Sequence, residues 1–317
     1  MKIIVTGGAG FIGSHFVDLA ISRGDEVIVI DDLSFGKKIN INSNASFIEE
    51  SLLNYSIIEN IVLKVNPTHI VHFAANATTK SSAMGWNDPF LDSRVNMLAT
   101  LNILEIIRRN SLSAHFLYAS SAAVYGEPKY VPMNEPHPLN PQSPYGISKL
   151  AGEKYCYSYF KEYNVNCTVL RIFNTYGPRQ PRYVMYDQIK KMLLAKHESF
   201  EVLGTGEQIR DYVYVSDTVK AFHLAMMKGR STFGEIYNIG GNSKITIKEL
   251  INKIKSLVNK DLQPVFTGQS WKGDISKLWS DTTHIKASLG WEPEISIDEG
   301  IRNLLNWIKT DNEFLTN

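Results

Sequence analysis

The chain opens with MKIIVTGGAGFIG, residues 1–13, in which a short apolar run gives way at once to glycines. A β-branched run bounded by glycine predicts a buried parallel strand over residues 2–6. Gly7, Gly10 and Gly13 then lie where this strand turns into a helix. Small residues at that point let the backbone and the helix N-terminus approach a pyrophosphate, so the stretch predicts a dinucleotide site.

The same unit of strand and helix recurs further along the chain. Apolar runs suited to buried parallel strands occur at residues 26–30, 69–73, 115–119 and 168–171, and a segment with helical periodicity follows each of them. Such alternation is typical of helices packed on both faces of a parallel sheet. We therefore predict an α/β fold with a Rossmann-type, doubly wound parallel sheet.

The second predicted strand ends at two carboxylates, Asp31 and Asp32. A carboxylate at this place accepts hydrogen bonds from an adenosine ribose and repels a 2′-phosphate, which favours NAD over NADP. Asp31 is expected to have this role. Asp32 could share it, or one of the two could cap the turn Leu33-Ser-Phe-Gly36.

The character of the sequence changes after Arg171, where loops become longer and richer in proline, glycine and aromatic residues. This change predicts an NAD-binding domain at residues 1–171 and a smaller, mainly substrate-binding α/β region at residues 172–317, with the chain crossing back at least once. Helices are predicted at residues 186–196, 216–227 and 247–258. We expect them to cap the C-terminal edge of the sheet, where ligands of open α/β sheets bind.

Composition narrows the choice of partners. The 317 residues are 44% hydrophobic, and Lys+Arg 33 against Asp+Glu 32 gives a net charge of +1, which suggests neither nucleic acid nor a membrane as partner. Cys156 and Cys167 are the two cysteines and cannot staple a chain of this size, so a reduced, cytoplasmic setting is expected. The opening apolar run is too short for a signal peptide or a membrane span.

The catalytic hypothesis starts from Tyr145-Gly-Ile-Ser-Lys149. Residues four apart share one face of a helix, which places a phenol beside an ammonium. The positive charge favours the phenolate, so a phenol with an ordinary pKa of about 10 becomes a usable base nearer neutral pH. Upstream, the serines of Ser120-Ser-Ala-Ala-Val-Tyr-Gly126 end a predicted strand and are expected to point into the cleft.

The dinucleotide fingerprint, the serine motif and the Tyr-Lys pair together resemble the extended short-chain dehydrogenase/reductase family. The resemblance covers essentially the whole chain. Its further motifs are His72-Phe-Ala-Ala75, Asn96, Arg171-Ile-Phe-Asn174, Tyr176-Gly-Pro178, Gly204-Thr-Gly206, Arg210-Asp-Tyr212, Asn238-Ile-Gly-Gly241 and Leu289-Gly-Trp291.

The resemblance implies roles for individual residues. Ser121 would steady the sugar 4-hydroxyl, Tyr145 would remove its proton, and Lys149 would bind the nicotinamide ribose and tune the tyrosine. Asn174 and Arg210 would bind the diphosphate, since an amide or guanidinium gives directional donors. Asn96 would brace the backbone, and Asp211 is expected to be a structural partner.

Two sets of contacts follow, and no metal site is expected. The cofactor set is Gly7, Gly10, Phe11, Ile12, Gly13, Asp31, Asp32, Ser51, Leu52, Phe73, Ala74, Ala75, Asn96, Ser120, Tyr145 and Lys149. The set for the nucleotide sugar is Ser121, Ala122, Asn174, Arg182, Arg210, Trp271, Asp274 and Leu278.

Ala122 and Ala123 guide the choice of reaction. At these positions dTDP-glucose 4,6-dehydratases carry an Asp-Glu pair, because elimination of water needs an acid and a base, and UDP-glucuronate decarboxylases commonly carry Glu at the second. UDP-glucose 4-epimerases need only Ser, Tyr and Lys, since a hydride leaves C4 and returns to the other face of a rotated 4-keto sugar. The sequence therefore favours a 4-epimerase of a UDP-hexose or UDP-N-acetylhexosamine. Leu278, where a bulky tyrosine would exclude N-acetyl groups, suggests tolerance of N-acetylhexosamine.

Several departures from the family pattern keep other activities open. Trp271-Lys-Gly-Asp274 replaces an Arg-x-Gly-Asp, with Lys272 as a possible substitute, and Ser51 replaces an adenine-binding aspartate. The loop after Pro178 is short and basic, Arg179-Gln-Pro-Arg182, and could reach the substrate. A UDP-N-acetylglucosamine 5,6-dehydratase is the second hypothesis. A non-catalytic NAD-sensing protein is a remote one, because such proteins typically lack the Tyr-Lys pair.

A homodimer is expected. The segments bearing Met97-Leu-Ala-Thr-Leu101 and residues 148–159 resemble the helices that form a four-helix seam between subunits in this family.

Overall fold

The computed structural model describes residues 1–77, 88–195, 198–258, 260–269 and 274–310. The described chain begins with β1 (Lys2–Thr6), α1 (Phe11–Ser22), β2 (Glu26–Asp31), β3 (Ser46–Glu49), α2 (Tyr55–Val65), β4 (His69–His72), α3 (Pro89–Asp92), α4 (Ala99–Arg109), β5 (His115–Ser121), α5 (Pro144–Tyr163) and β6 (Cys167–Ile172). It continues with β7 (Asn174–Tyr176), α6 (Val184–Leu194), β8 (Ser199–Val202), β9 (Ile209–Tyr214), α7 (Val215–Lys228), β10 (Ile236–Ile239), β11 (Lys244–Thr246), α8 (Ile247–Val258), β12 (Gln263–Phe266), α9 (Thr283–Leu289) and α10 (Ile297–Thr310).

A large sheet of seven parallel strands is the centre of the fold. Its order is β10-β6-β5-β4-β1-β2-β3, so the strand order reverses beside β1. This confirms the predicted doubly wound architecture. In such a sheet the ligand crevice lies outside the carboxyl ends of the strands, at the reversal.

The faces of this sheet are covered because its strands are apolar on both sides. Ile3 and Val5 of β1 pack with Phe16 of α1 and Phe222 of α7. Ile4, between them in sequence, packs on the other face against α2, α4 and α5. The alternation follows from the two-residue period of a strand.

Helix α7 corrects one expectation. The predicted helix at residues 216–227 was expected to cap the edge of the sheet, but α7 packs on its face beside α1, where the rings of Phe73 and Phe222 lie 4.6 Å apart. An amphipathic pattern shows that one side of a helix is buried, not what buries it.

The second lobe is smaller and has its own core. A three-stranded sheet, β11-β9-β7, and a two-stranded sheet, β12-β8, accompany α6, α8 and α10. The chain leaves this lobe again as β10, which pairs in parallel with β6 through partners such as Ile236 and Val169. In the described ranges, no helix has the length and apolarity needed to span a membrane.

Candidate active site

A cavity of about 910 Å³ lies between the two lobes at the carboxyl ends of the large sheet's strands. Most of the residues proposed from sequence line it. They are Gly7, Gly10, Phe11, Ile12, Gly13, Phe73, Ala75, Ser120, Ser121, Ala122, Tyr145, Lys149, Asn174, Arg182, Arg210, Asp274 and Leu278. The topology therefore brings side chains far apart in sequence to one concave site, as expected for a ligand cleft.

The glycine loop after β1 has the shape of a pyrophosphate cradle. Gly7 has φ +70°, and a Cβ there would lie 2.5 Å from the backbone nitrogen of Ala74. A Cβ on Gly13 would lie 2.2 Å from the carbonyl oxygen of Gly7. The N-cap of α1 is Gly10, which has no side chain to cap the helix. The first backbone amides of α1, at the cavity, therefore have no side-chain cap as hydrogen-bond partner. These features fit the diphosphate of a dinucleotide.

The two aspartates after β2 have different surroundings. The Asp31 carboxylate is 9% exposed and accepts hydrogen bonds from the amides of Ala9, at 3.0 Å, and Leu33, at 2.9 Å. Burial raises the pKa of Asp31, and these two amides oppose that rise. Asp32 accepts from the amide and hydroxyl of Ser34 and so caps the turn. Asp31 thus lies beside the cradle, and Asp32 organises the turn that follows it.

Helix α5 starts in a way that fixes the position of Tyr145, the predicted catalytic base. Its N-cap, Ser143, accepts a hydrogen bond from the amide of Gly146 at 3.1 Å, and Pro144 occupies the first turn. These are strong helix-start signals. Tyr145 follows directly, and a hydrogen bond with the side chain of Ser121 at the end of β5 lowers its pKa. Two catalytic residues predicted from sequence are therefore in contact.

Lys149 is held one helical turn further on, at 2% exposure. Its Nζ donates to the carbonyl oxygen of Ala119 at 2.9 Å and lies 5.1 Å from the centre of the Tyr118 ring. Burial lowers the pKa of Lys149 to about 8, while the charges of Glu153 and Asp92 oppose that change. The ammonium is thus positioned by a backbone acceptor, and two carboxylates favour its charged form.

Burial and neighbouring side chains shift the pKa of Tyr145 in opposite directions. Burial raises the pKa of Tyr145, and the nearby phenol of Tyr183 raises it further. The bond from Ser121 is the contact that opposes this rise. The donated hydrogen bond of Lys149 goes to the carbonyl oxygen of Ala119 instead of the phenol, and the tuning of Tyr145 by Lys149 stays a prediction.

The burial of Lys149 predicts a gain in stability when its charge is removed. Below about pH 8 both the native and unfolded chains carry the ammonium, and the burial cost is fully present. The cost falls as the pH rises from about 8 towards 10.5, because only the unfolded chain then keeps the proton. Lys149→Met should therefore raise the free energy of unfolding at pH 7 by about 3 kcal/mol, at about 1.4 kcal/mol per pKa unit.

Urea unfolding of Lys149→Met at pH 7 and at pH 10 measures this gain, which should shrink at the higher pH. Lys154→Met is a matched control on the exposed side of the same helix and should change stability by less than about 0.5 kcal/mol. A Lys149 variant less stable than the parent at pH 7 would contradict the expectation.

A buried ionic network behind the catalytic residues was missed from sequence. Glu153 accepts from Nε and Nη2 of Arg171, at 2.9 and 2.8 Å, and from the hydroxyl of Ser120 at 2.5 Å. Ser120 was predicted to contact the cofactor, but its hydroxyl donates to Glu153. Glu153 lies four residues after Lys149, and this same-face spacing is the signal that could have identified it.

Asn96 lies behind the cavity wall. It is fully buried in a π-helical turn, Ser93–Leu98, accepts from the amide of Asn76 at 2.7 Å and donates to its carbonyl oxygen at 3.1 Å. It also donates to the hydroxyl of Ser148 at 2.9 Å. Asn96 therefore braces the segment after β4. It supports the cavity wall from behind and does not itself line the cavity.

Five other residues assigned to the cofactor lie outside the cavity lining: Asp31 and Asp32, described above, and Leu52, Ala74 and Ser51. Leu52 is 7% exposed and packs in the core beneath the sheet. The backbone of Ala74 packs under Gly7. The amide of Ser51 donates to Glu50 in the turn after β3. The cofactor contacts predicted for these three residues therefore stay predictions.

Arg210 and Asp274 form a nearly buried ion pair at the far end of the cavity. Arg210 also donates to the carbonyl oxygen of Ile275 at 2.7 Å, and Asp274 accepts from Gln208 at 3.2 Å. Asp274 was predicted to contact substrate, but both of its carboxylate oxygens are engaged in holding Arg210 and Gln208. Trp271 lies outside the described residues.

The remaining substrate residues form two groups. Leu278 packs with Ala122 and Phe173 as an apolar wall. Asn174 donates to the carbonyl oxygen of Asp211 at 3.1 Å, and the carboxylate of Asp211 accepts from the amides of Gly241, Ser243 and Ser280. That confirms the structural role expected for Asp211. Within the described ranges, no group of three or more His, Cys, Asp or Glu side chains could hold a metal ion.

Comparison with known proteins agrees with this geometry. The model of the family described as GDP-mannose 4,6 dehydratase matches residues 4–304. The chain belongs to the extended short-chain dehydrogenase/reductases, in their NAD-dependent epimerase/dehydratase group. Members of one fold catalyse different reactions, so the site must decide which one this epimerase/dehydratase performs.

Several similar proteins carry epimerase names, and others are named UDP-glucuronic acid decarboxylases. UDP-glucose 4-epimerase of Mycolicibacterium smegmatis is 31% identical over 99% of this chain and 100% of that protein. The structure of UDP-glucose 4-epimerase from Thermotoga maritima with UDP-glucose is 38% identical, with a TM-score of 0.90 over 98% of this chain and 99% of that one. UDP-glucuronic acid 4-epimerase from Bacillus cereus, in complex with UDP-glucuronic acid and NAD, is 30% identical, with a TM-score of 0.88 over 98% and 99%.

Proposed function

We propose that this epimerase/dehydratase is an NAD-dependent nucleotide-sugar 4-epimerase that acts on a UDP-hexose or UDP-N-acetylhexosamine through a transient 4-keto intermediate. One observation carries the proposal. Ser121, Tyr145 and Lys149 meet at the cavity, while the adjoining Ala122 and Ala123 supply no acid or base. The epimerase names and ligands of the similar proteins support the same reaction and the same class of substrate.

The chemistry divides between cofactor and protein. NAD, when bound, supplies reversible hydride transfer at the sugar C4. Tyr145 takes the proton of the 4-hydroxyl and later returns it, and Ser121 orients that hydroxyl through its own bond with Tyr145. Lys149 would hold a positive charge beside the nicotinamide ribose. Arg210, oriented by Asp274, is suited to the diphosphate.

The two parts of the chain divide the binding work. We assign NAD binding to residues 1–171, through the glycine cradle and Asp31. We assign sugar and diphosphate binding mainly to residues 172–317, with Asn174, Arg182, Arg210 and Leu278 on the cavity wall. The chain returns to the large sheet as β10, so the residues that bind the sugar and diphosphate do not form one continuous segment.

A 5,6-dehydratase acting on UDP-N-acetylglucosamine is the second candidate, and one observation favours it. Elimination needs an acid or base in addition to Tyr145. Arg182 and Tyr183, from the short basic loop, both line the cavity. That loop therefore lines the cavity in which a proton would have to be taken from C5.

Solvent isotope labelling separates the two reactions. In deuterium oxide, a 4-epimerase should convert each accepted UDP-sugar to an epimer of unchanged mass with no deuterium on carbon, because no group touches the C5 proton. Mass spectrometry and proton NMR of products from UDP-, dTDP-, GDP- and CDP-sugars measure this. Loss of one water, or deuterium at C5, would move the assignment to a dehydratase.

We propose a homodimer in a cytoplasmic setting. The helices α4 and α5 support the dimer, because Leu98, directly before α4, and Ile147 and Tyr157 of α5 present exposed apolar side chains in the segments expected to form the seam. The setting is supported by Cys156 and Cys167, which are both buried and free.

A further inference from the structure

Tyr183, the residue before α6, has a backbone conformation that is almost reserved for glycine. Its φ is 81° and its ψ is 164°. Residues with a Cβ reach this region only under strain, and it persists where the surrounding structure over-determines it. Such strain concentrates at ligand sites. Two questions follow from this strained conformation: which contacts hold the phenol in place, and what role the phenol has in the cavity.

The Tyr183 side chain joins the two walls of the cavity. Its hydroxyl donates to the carbonyl oxygen of Ala77 at 2.9 Å. Ala77 follows β4 of the large sheet, whereas Tyr183 belongs to the loop after β7. The guanidinium of Arg182 lies 5.7 Å from the centre of the ring and hydrogen-bonds the phenol. Two contacts thus fix the ring against the cavity in spite of its strained backbone.

The ring lies beside the reacting group. Tyr183 and Tyr145 both line the cavity, and 43% of the Tyr183 surface is exposed. The negative charge that Tyr183 would carry when ionised raises the pKa of Tyr145, as expected for neighbouring phenols. Since Tyr145 marks the position of the sugar C4, the ring of Tyr183 borders the sugar and not the adenosine end of the site.

We propose that Tyr183 is a specificity-determining residue of the sugar subsite, whose ring bounds the space in which the 4-keto sugar turns and prevents that intermediate from leaving. This inference rests on the proposed 4-epimerase activity. Between the two half-reactions the sugar must give up its contacts with Ser121 and Tyr145 to present its other face. During that interval, only the diphosphate contacts and the cavity walls retain it.

Escape of the intermediate leaves a measurable trace. Oxidation at C4 transfers one hydride to NAD and one proton to Tyr145. If the 4-keto sugar then departs, the protein keeps reduced cofactor, and the solution contains a sugar nucleotide that lacks two hydrogen atoms. A wall that retains the sugar keeps both products rare.

Tyr183→Gly removes the ring and relieves the backbone. With UDP-glucose and UDP-N-acetylglucosamine as probes, this variant should accumulate reduced nicotinamide at least about tenfold faster than the parent, a size typical of lost pocket contacts. The near-ultraviolet absorbance of the protein measures the cofactor, and mass spectrometry detects the free 4-keto product. Tyr183→Phe keeps the ring but loses the hydroxyl contacts, so its leakage should lie between that of the parent and that of Tyr183→Gly.

Thermal unfolding provides a second readout. The Tm of Tyr183→Gly should be no lower than that of the parent, because glycine adopts this conformation without strain. Tyr130→Gly is the matched control: Tyr130 is 46% exposed, donates one hydrogen bond of 2.8 Å to Asn134 and lies outside the cavity lining. Its Tm should fall.

Three results would overturn the proposal. The first is normal turnover of Tyr183→Gly with no excess of reduced cofactor. The second is leakage from Tyr183→Phe as fast as that from Tyr183→Gly. The third is a fall in the Tm of Tyr183→Gly as large as that of Tyr130→Gly. Failure of the 4-epimerase proposal itself would be visible separately, because the parent protein would then form no epimer from any UDP-sugar.

Discussion

Tyr145→Phe is expected to lower kcat by ~10²–10⁴-fold while NAD remains bound, because the change deletes only the proton acceptor. The ring stays in the first turn of α5, which Ser143 and Pro144 fix independently of the hydroxyl. Initial rates with an accepted UDP-sugar give the loss in kcat. The dinucleotide released from denatured protein gives the occupancy of the cofactor site.

Tyr157→Phe is the control for this experiment. Tyr157 lies on the same helix, is 55% exposed and is outside the cavity lining, so loss of its hydroxyl should leave kcat unchanged. Near-normal turnover of the Tyr145 variant would refute the assigned base. Release of NADP from the parent would contradict the role given to Asp31.

Glu153→Gln is expected to destabilise the protein by about 3–5 kcal/mol, because it leaves the guanidinium of Arg171 buried without a counter-charge. Both side chains of this pair are 2% exposed, and the pair has two-point geometry. Water cannot reach and solvate the Arg171 guanidinium at such a buried position. Urea unfolding at pH 7 measures the loss.

A surface ion pair gives the comparison. Lys220 and Glu294 are 40% and 63% exposed, so Glu294→Gln should cost less than about 1 kcal/mol. If the two variants lost similar stability, the buried pair would not have the importance assigned to it. Loss of the Glu153 charge should also lower the pKa of Lys149. As the pH is raised, the variant should therefore lose the Lys149 ammonium, and with it activity, at a lower pH than the parent.

The strands of the large sheet were the most predictable part of the fold. The predicted strand at residues 2–6 has the same bounds as β1, since its apolar run ends abruptly at glycine. β3 was missed because it is four residues long and lies half-buried at the edge of the sheet, without a buried apolar run. β10 was missed as a strand for a different reason: nothing local indicates that a segment after the second lobe returns to the sheet.

The site was predictable where residue type alone decides the chemistry. Gly7, Tyr145 and Lys149 belong to such motifs, and the structure places all three at the cavity. Contacts between side chains far apart in sequence were not predictable. Asp274 pairs with Arg210 across more than sixty residues, and Tyr183 depends on a positive φ that its sequence does not announce.

The late return of the chain as β10 also limits how this architecture can be cut or recombined. A fragment that stopped after β6 would present that strand as an open edge, and open edges of apolar strands invite association with other chains. Grafting the sugar-recognising lobe of a relative onto this cofactor-binding sheet would need junctions on both sides of β10. Evolution of a new specificity in such a chain is therefore easier through single loops, such as the one that carries Tyr183, than through exchange of whole modules.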